Sequence, residues 1–133
     1  MRKQYYFRHS SRGLLAWDVD RLVALSRGFP VLHVPLTDIR ELGEPFSSES
    51  EETASWRSMI EHIRLIETAD LRFPIILSSD GRVMDGMHRV VKALLDGWVT
   101  IDAVRFTVDP EPDHIDVDPN ELPYDELLPG TTA

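Results

Sequence analysis

Apolar residues recur along this chain at two spacings, and the switches between them mark out its elements. In "AWDVDRLVALSRGFP", Val19, Leu22 and Val23 recur at helical spacing. Asp18 stands where a cap accepts the first free amides, and Gly28 and Pro30 end the run. "VLHVPL" (31–36) alternates instead, which places Leu32, Val34 and Leu36 on one face of a short strand. Pro35 confines that strand to a sheet edge or to its own end. "SWRSMIEHIRLIETAD" (55–70) has the clearest amphipathic pattern: Trp56, Met59, Ile60, Ile63 and Ile66 form one stripe, with Arg57, Glu61, Arg64 and Glu67 opposite. Residues 75–77 and 82–84 read as two strands joined at Asp80-Gly81, a favoured hairpin pair. A helix over 86–96 follows, with Met87, Val90, Val91, Leu94 and Leu95 as its apolar stripe and Gly97 as its stop. "VTIDAVRFTV" (99–108) reads as a closing strand. Residues 1–13 mix basic and aromatic side chains without a clear period.

These elements predict an α+β fold, a small mixed sheet with packed helices. The 133 residues suffice for one core, so a single domain is expected over 1–108. Charge sets off the remainder. All 14 Lys and Arg lie in residues 1–108, together with 15 of the 23 acids, so that part is nearly neutral. Residues 109–133 carry eight acids, five prolines and no Lys or Arg, and read as a mostly extended acidic tail, either solvated or lying across the body. A second acidic, serine-rich stretch, "ELGEPFSSESEE" (41–52), reads as a solvated connection. The absence of cysteine excludes disulfides, thiolate metal sites and cysteine nucleophiles. No apolar run approaches the roughly 18 residues of a membrane span, and the basic start lacks the apolar segment of a signal peptide. A cytoplasmic protein with no membrane partner is the expectation.

The densest chemistry lies at Asp85-Gly86-Met87-His88-Arg89, where a strand runs into a helix. The free amides of Gly86, Met87 and His88, at the positive end of the helix dipole, suit an anion. Gly86 admits close approach of a ligand, His88 adds a donor, and Arg89 has the fork that grips phosphate. Asp85 has three open roles: cap of the helix, ligand to Mg²⁺, or acceptor of a proton from a bound hydroxyl. A cap with a solvated His-Arg pair accounts for the same residues without any ligand.

The order of elements around this box resembles the ParB/sulfiredoxin superfamily. The resemblance covers roughly residues 31–108 and is strongest over 74–106: "PIIL", a turn with Asp-Gly, and a box of the Asp-Gly-x-His-Arg kind opening a helix that ends near a Gly. It implies a ParB-like fold in which the box holds a nucleotide or another phosphate group through Gly86, Met87, His88 and Arg89. Asp85 and His88 become the candidates for chemistry, with Mg²⁺ as the metal Asp85 would take. The chain departs from the family in two ways. Met87 stands where sulfiredoxin-like enzymes have cysteine, which excludes sulfinic-acid repair. No helix-turn-helix pattern follows, which argues against ParB-type operator binding.

Other residues carry less. His9, His33, His62, His88 and His114 include no pair at metal-ligand spacing on one element. His33 reads as a surface or satisfied polar residue and His62 as helix packing. Trp17, Trp56 and Trp98 read as core or hinge anchors. The expectation is therefore a protein that binds a nucleotide or phosphorylated small molecule, with phosphoryl transfer or phosphoester hydrolysis as its reaction. The alternatives are a non-catalytic regulatory module and a ParB-like nuclease. For nucleic acid the only support is the basic, aromatic amino terminus (Arg2, Lys3, Tyr5, Tyr6, Phe7, Arg8, Arg12).

Overall fold

The structure, a computed structural model, describes residues 3–45 and 55–124. It is α+β, with two small sheets and three helices: β1 (Tyr5–Ser10), β2 (Gly13–Asp18), α1 (Val19–Leu25), β3 (Leu32–Pro35), α2 (Trp56–Thr68), β4 (Ile75–Leu77), β5 (Val83–Asp85), α3 (Met87–Leu95), β6 (Thr100–Arg105) and β7 (His114–Ile115). The chain forms two compact units, residues 28–108 and residues 1–27 with 109–133.

The central unit, 28–108, is built on a mixed four-stranded sheet of order β3-β6-β4-β5. β4 runs parallel to β6, while the β3–β6 and β4–β5 pairs are antiparallel. Pro35 sits at the end of the edge strand β3, opposite Thr100, where its missing N–H leaves no gap in the ladder. The hairpin at Asp80-Gly81 forms with a small offset from expectation, since its second strand spans 83–85. Ser78, fully buried, stabilises the turn: its N–H donates to the Arg82 carbonyl (2.8 Å) and its Oγ accepts from the Arg82 N–H (3.0 Å). Ile75, Leu77, Val83, Ile101 and Ala103 form one core with Val90 and Ala93 of α3 and with Leu36 and Ile39.

α3 begins and ends on glycines in the left-handed region. At its end, Gly97 (φ +81) lets the Trp98 N–H reach the Ala93 carbonyl (2.9 Å) and its own N–H reach Leu94 (3.1 Å), a Schellman closure. Both helical stripes differ from expectation. α3 buries Val90 and Ala93, while Leu94 and Leu95 are exposed. α2 has no fully buried residue, and it is Ser58, His62 and Ile66, one turn apart on one face, that are partly covered. The stripe Trp56, Met59, Ile60 and Ile63 is exposed, with Trp56 at 81%. Trp56 is thus no core anchor, and Trp98 is also exposed; only Trp17 is buried.

The other unit differs from the expectation of one domain over 1–108 followed by a tail, and it gives strands to the stretch 1–13 that shows no clear period. β1 and β2 form a hairpin with Tyr5 opposite Asp18, and β7 adds to β2 through Leu15–Ile115 and Ala16–His114. Residues 109–124 are therefore part of a packed body. Trp17 Nε1 donates to the Pro110 carbonyl (2.8 Å), Tyr5 Oη to that of Pro123 (2.5 Å), and Leu122 is buried. The charge asymmetry of the sequence is complementary within this unit: Asp109 pairs with Arg8 (3.2 Å) and Asp113 with Arg21 (3.2 Å). The Arg8 guanidinium also lies over the rings of Tyr6 and Trp17. The basic and aromatic side chains that suggested nucleic acid are largely engaged here. Asp18 caps α1 as expected, its carboxylate accepting from the Asp20 N–H (2.9 Å). Leu127 and Leu128 of the expected tail, and most of the acidic stretch 41–52, lie outside the described residues. Among the described residues no helix is long and apolar enough to cross a membrane.

Candidate functional site

The box Asp85-Gly86-Met87-His88-Arg89 lies at the end of β5 and the first turn of α3, as the pattern predicts. Gly86 is the N-cap at φ +107, a conformation an L side chain rarely adopts, and it supplies no capping side chain. A Cβ there would lie 2.7 Å from Ile75 Cγ2 and 2.8 Å from Arg89 Nη2. The glycine is thus needed for close packing within the fold, not for a ligand alone.

Arg89 turns back over that glycine. Its Nη2 donates to Asp85 Oδ2 (2.9 Å), and Nη1 donates to the carbonyls of Phe73 (3.2 Å) and Pro74 (3.3 Å). Both charged side chains are mostly covered, at 15% and 21% exposure. The guanidinium thereby ties the start of β4, the end of β5 and α3 together. Asp85 does not cap α3 through its side chain. Asp85, the residue considered for Mg²⁺, is ion-paired to Arg89, and among the described residues no group of three or more His, Cys, Asp or Glu is placed to hold a metal ion.

His88 faces the other way, toward α2. Its Nε2 lies 3.0 Å from Nδ1 of His62, so one ring donates and the other accepts. Burial, and the charge His62 would carry, push the proton affinity of His88 below the ordinary imidazole value, while Asp85 opposes that. His62 thus enters the site although sequence spacing pointed to packing alone. No local signal in the sequence marked it, since Ser58, His62 and Ile66 form the covered face of α2 only in the folded structure. His9 is exposed, His33 bonds Asp102 across β3 and β6 (2.8 Å), and His114 packs its ring edge-on to Tyr5.

The histidine pair borders a cavity of about 530 Å³ whose wall includes Glu41, Glu44, Ile66 and Met87. That volume suits a small-molecule site. Glu41 Oε2 accepts from the Val83 N–H (2.6 Å) and Glu44 Oε2 from Arg82 (2.6 Å), so each carboxylate already has a donor. A second cavity, of about 690 Å³, adjoins the carboxy-terminal end of α2. There Lys92 Nζ donates to the carbonyls of Glu67 (3.0 Å) and Ala69 (3.1 Å), and the helix dipole disfavours an anion.

Fold and site together define an α+β protein with a histidine-lined pocket at a helix amino terminus. No protein-family model matches the chain, and no curated protein or solved structure matches it.

Proposed function

We propose that the central unit binds a phosphorylated small molecule, of which a nucleotide is one class, in the cavity at the first turn of α3. The observation that carries this reading is the His62–His88 pair, 3.0 Å apart on the wall of a cavity that reaches an N-terminus with no side-chain cap. The first-turn amides at Met87 and His88 would take the phosphate oxygens, with the helix dipole behind them. Glu41 and Glu44 restrict the anionic group to the histidine side of the cavity, since a phosphate beside them meets like charge. Arg89 acts from behind, holding Gly86 and the turn in shape. The ParB/sulfiredoxin resemblance of the box supports the same place for the phosphate.

For turnover, the matching reaction class is phosphoryl transfer or phosphoester hydrolysis, with neutral His88 accepting the proton of the attacking hydroxyl or water. Asp85 would influence that step through its field on His88. A non-catalytic interaction module has one observation in its favour, the exposed apolar stripe of α2. A thermal-shift screen of nucleotides and phosphometabolites separates the two. A ligand at 100 times its Kd adds about 2.7 kcal/mol, and His88→Gln should reduce that stabilisation. If no phosphorylated compound stabilises the wild type, or if His88→Gln responds equally, this reading fails.

A further inference from the structure

We infer that α2 is the docking surface for a second copy of this chain, whose own α2 lies antiparallel across it; the inference stands whatever the cavity binds. α2 packs on its unit through a narrow face. Ser58, His62 and Ile66 are partly covered, and no residue of the helix is fully buried. Beside that face Trp56, Met59, Ile60 and Ile63 stand at 81%, 42%, 48% and 45% exposure. At about 100° per residue the four fall within one arc of the helix. They form a continuous apolar strip, the kind of surface that marks an association site.

Charge identifies what covers the strip. Arg57, Glu61, Arg64 and Glu67 border it and are exposed, and among the described residues none of these four side chains has an ion-pair or hydrogen-bond partner. Their signs alternate along the helix, so reversing its direction exchanges plus for minus. An antiparallel copy related by a two-fold axis therefore sets Arg57 against the partner's Glu67, and Glu61 against the partner's Arg64, each pair formed twice. A parallel copy in register would set Arg against Arg and Glu against Glu. The register of the antiparallel pair is also consistent. Arg57 and Glu67 have their midpoint at residue 62, Glu61 and Arg64 just after it, and Ile60 and Ile63 just before it. All three midpoints lie within about 1.5 Å, the rise of one residue. One axis thus brings Ile60 onto the partner's Ile63 while both kinds of ion pair form, and lays Trp56 over the last turn of the partner's helix. α2 has 13 residues and is about 20 Å long, so the interface is small and a dissociation constant of about 1–100 μM is expected.

Analytical ultracentrifugation of the full chain from about 1 μM to 1 mM should show a monomer–dimer transition. Ile63→Glu, at an exposed position, should weaken the dimer by at least about tenfold, with circular dichroism reporting an unchanged fold. Arg57→Glu and Glu67→Arg each set like charges opposite one another in their own dimers, and each should weaken association by about three- to tenfold at low salt. Mixed in equal amounts, those two variants bring opposite charges together again at both positions, and the mixture should dimerise about as tightly as the wild type. A chain that stays monomeric over the whole range overturns the inference and means that something other than a second copy covers the strip. A dimer that Ile63→Glu leaves unchanged overturns it too, because its interface lies elsewhere. A mixture no tighter than the separate variants overturns the antiparallel pairing. The charge variants decide the matter even if Ile63→Glu does not fold, and none of these outcomes bears on ligand binding in the cavity.

Discussion

Replacing Gly86 by alanine tests the tightest point of the box, and the structure allows its cost to be worked out in parts. The backbone at φ +107 costs an L residue about 1–3 kcal/mol. The new methyl would lie 2.7 Å from Ile75 Cγ2, and Ile75 is fully buried, so it has no room to retreat. Overpacking of this kind costs about 1–3 kcal/mol. The same methyl lies 2.8 Å from Arg89 Nη2 and displaces the guanidinium from Asp85. These contributions overlap, so a total of about 3–5 kcal/mol is expected, a large share of a typical stability of 5–15 kcal/mol. Gly81 provides the control. It also has positive φ (+85), but a Cβ there meets nothing within 4 Å. Gly81→Ala should therefore show only the backbone cost, about 1–2 kcal/mol. Urea unfolding of both variants measures the difference. If Gly86→Ala falls within about 1 kcal/mol of Gly81→Ala, the packing of Ile75 and Arg89 around the glycine is not what stabilises the turn.

Arg89→Ala should destabilise by about 2–4 kcal/mol in urea unfolding, because it leaves the Asp85 carboxylate and two carbonyls without their donor; a loss under 1 kcal/mol would show that the guanidinium is dispensable to the fold. Truncation after Val108 should abolish hydrogen-exchange protection of β2, since it removes β7, the acceptor for Trp17 Nε1 and buried Leu122. Protection retained at residues 13–18 would mean that the hairpin stands alone. Stability should also fall as the solution is acidified through pH 6.5, the ordinary histidine value. The sign follows from the depressed proton affinity of folded His88: the unfolded chain takes up the proton first, and the loss levels off below the folded pKa. Urea midpoints from about pH 8 to 5 should show a shallower acid-side decline in His88→Gln, and parallel curves would refute the assignment.

Much of the central unit is legible in the sequence because its signals are local. Asp80-Gly81 forms the turn, Gly97 ends α3, and the box lies where strand gives way to helix. The stripes were harder to read. Helical spacing establishes that α2 is amphipathic, but the covered face is decided by partners remote in sequence, which leaves Trp56 exposed and turns His62 inward. His62 joined the site for the same reason, since its neighbour His88 lies 26 residues away. The hairpin β1–β2 escaped because its two faces are both aromatic, with Tyr6 and Trp17 in one ring contact and Tyr5 and Phe7 in another. An alternating strand pattern cannot emerge from that composition. Gly86 was read as room for a ligand, whereas Arg89 and Ile75 already crowd it.

The pairing of β2 with β7 imposes an order on how this chain matures. Trp17 Nε1 finds its acceptor 93 residues downstream, at Pro110. During synthesis at about 5–20 residues per second, the amino-terminal hairpin therefore emerges several seconds before the strand that completes its sheet. The central unit, made of continuous chain, has all its strands available sooner. In the interval β2 has one edge still unpaired, the edge that β7 later covers. Asp109 and Asp113 arrive with that missing strand, and their ion pairs with Arg8 and Arg21 form only then.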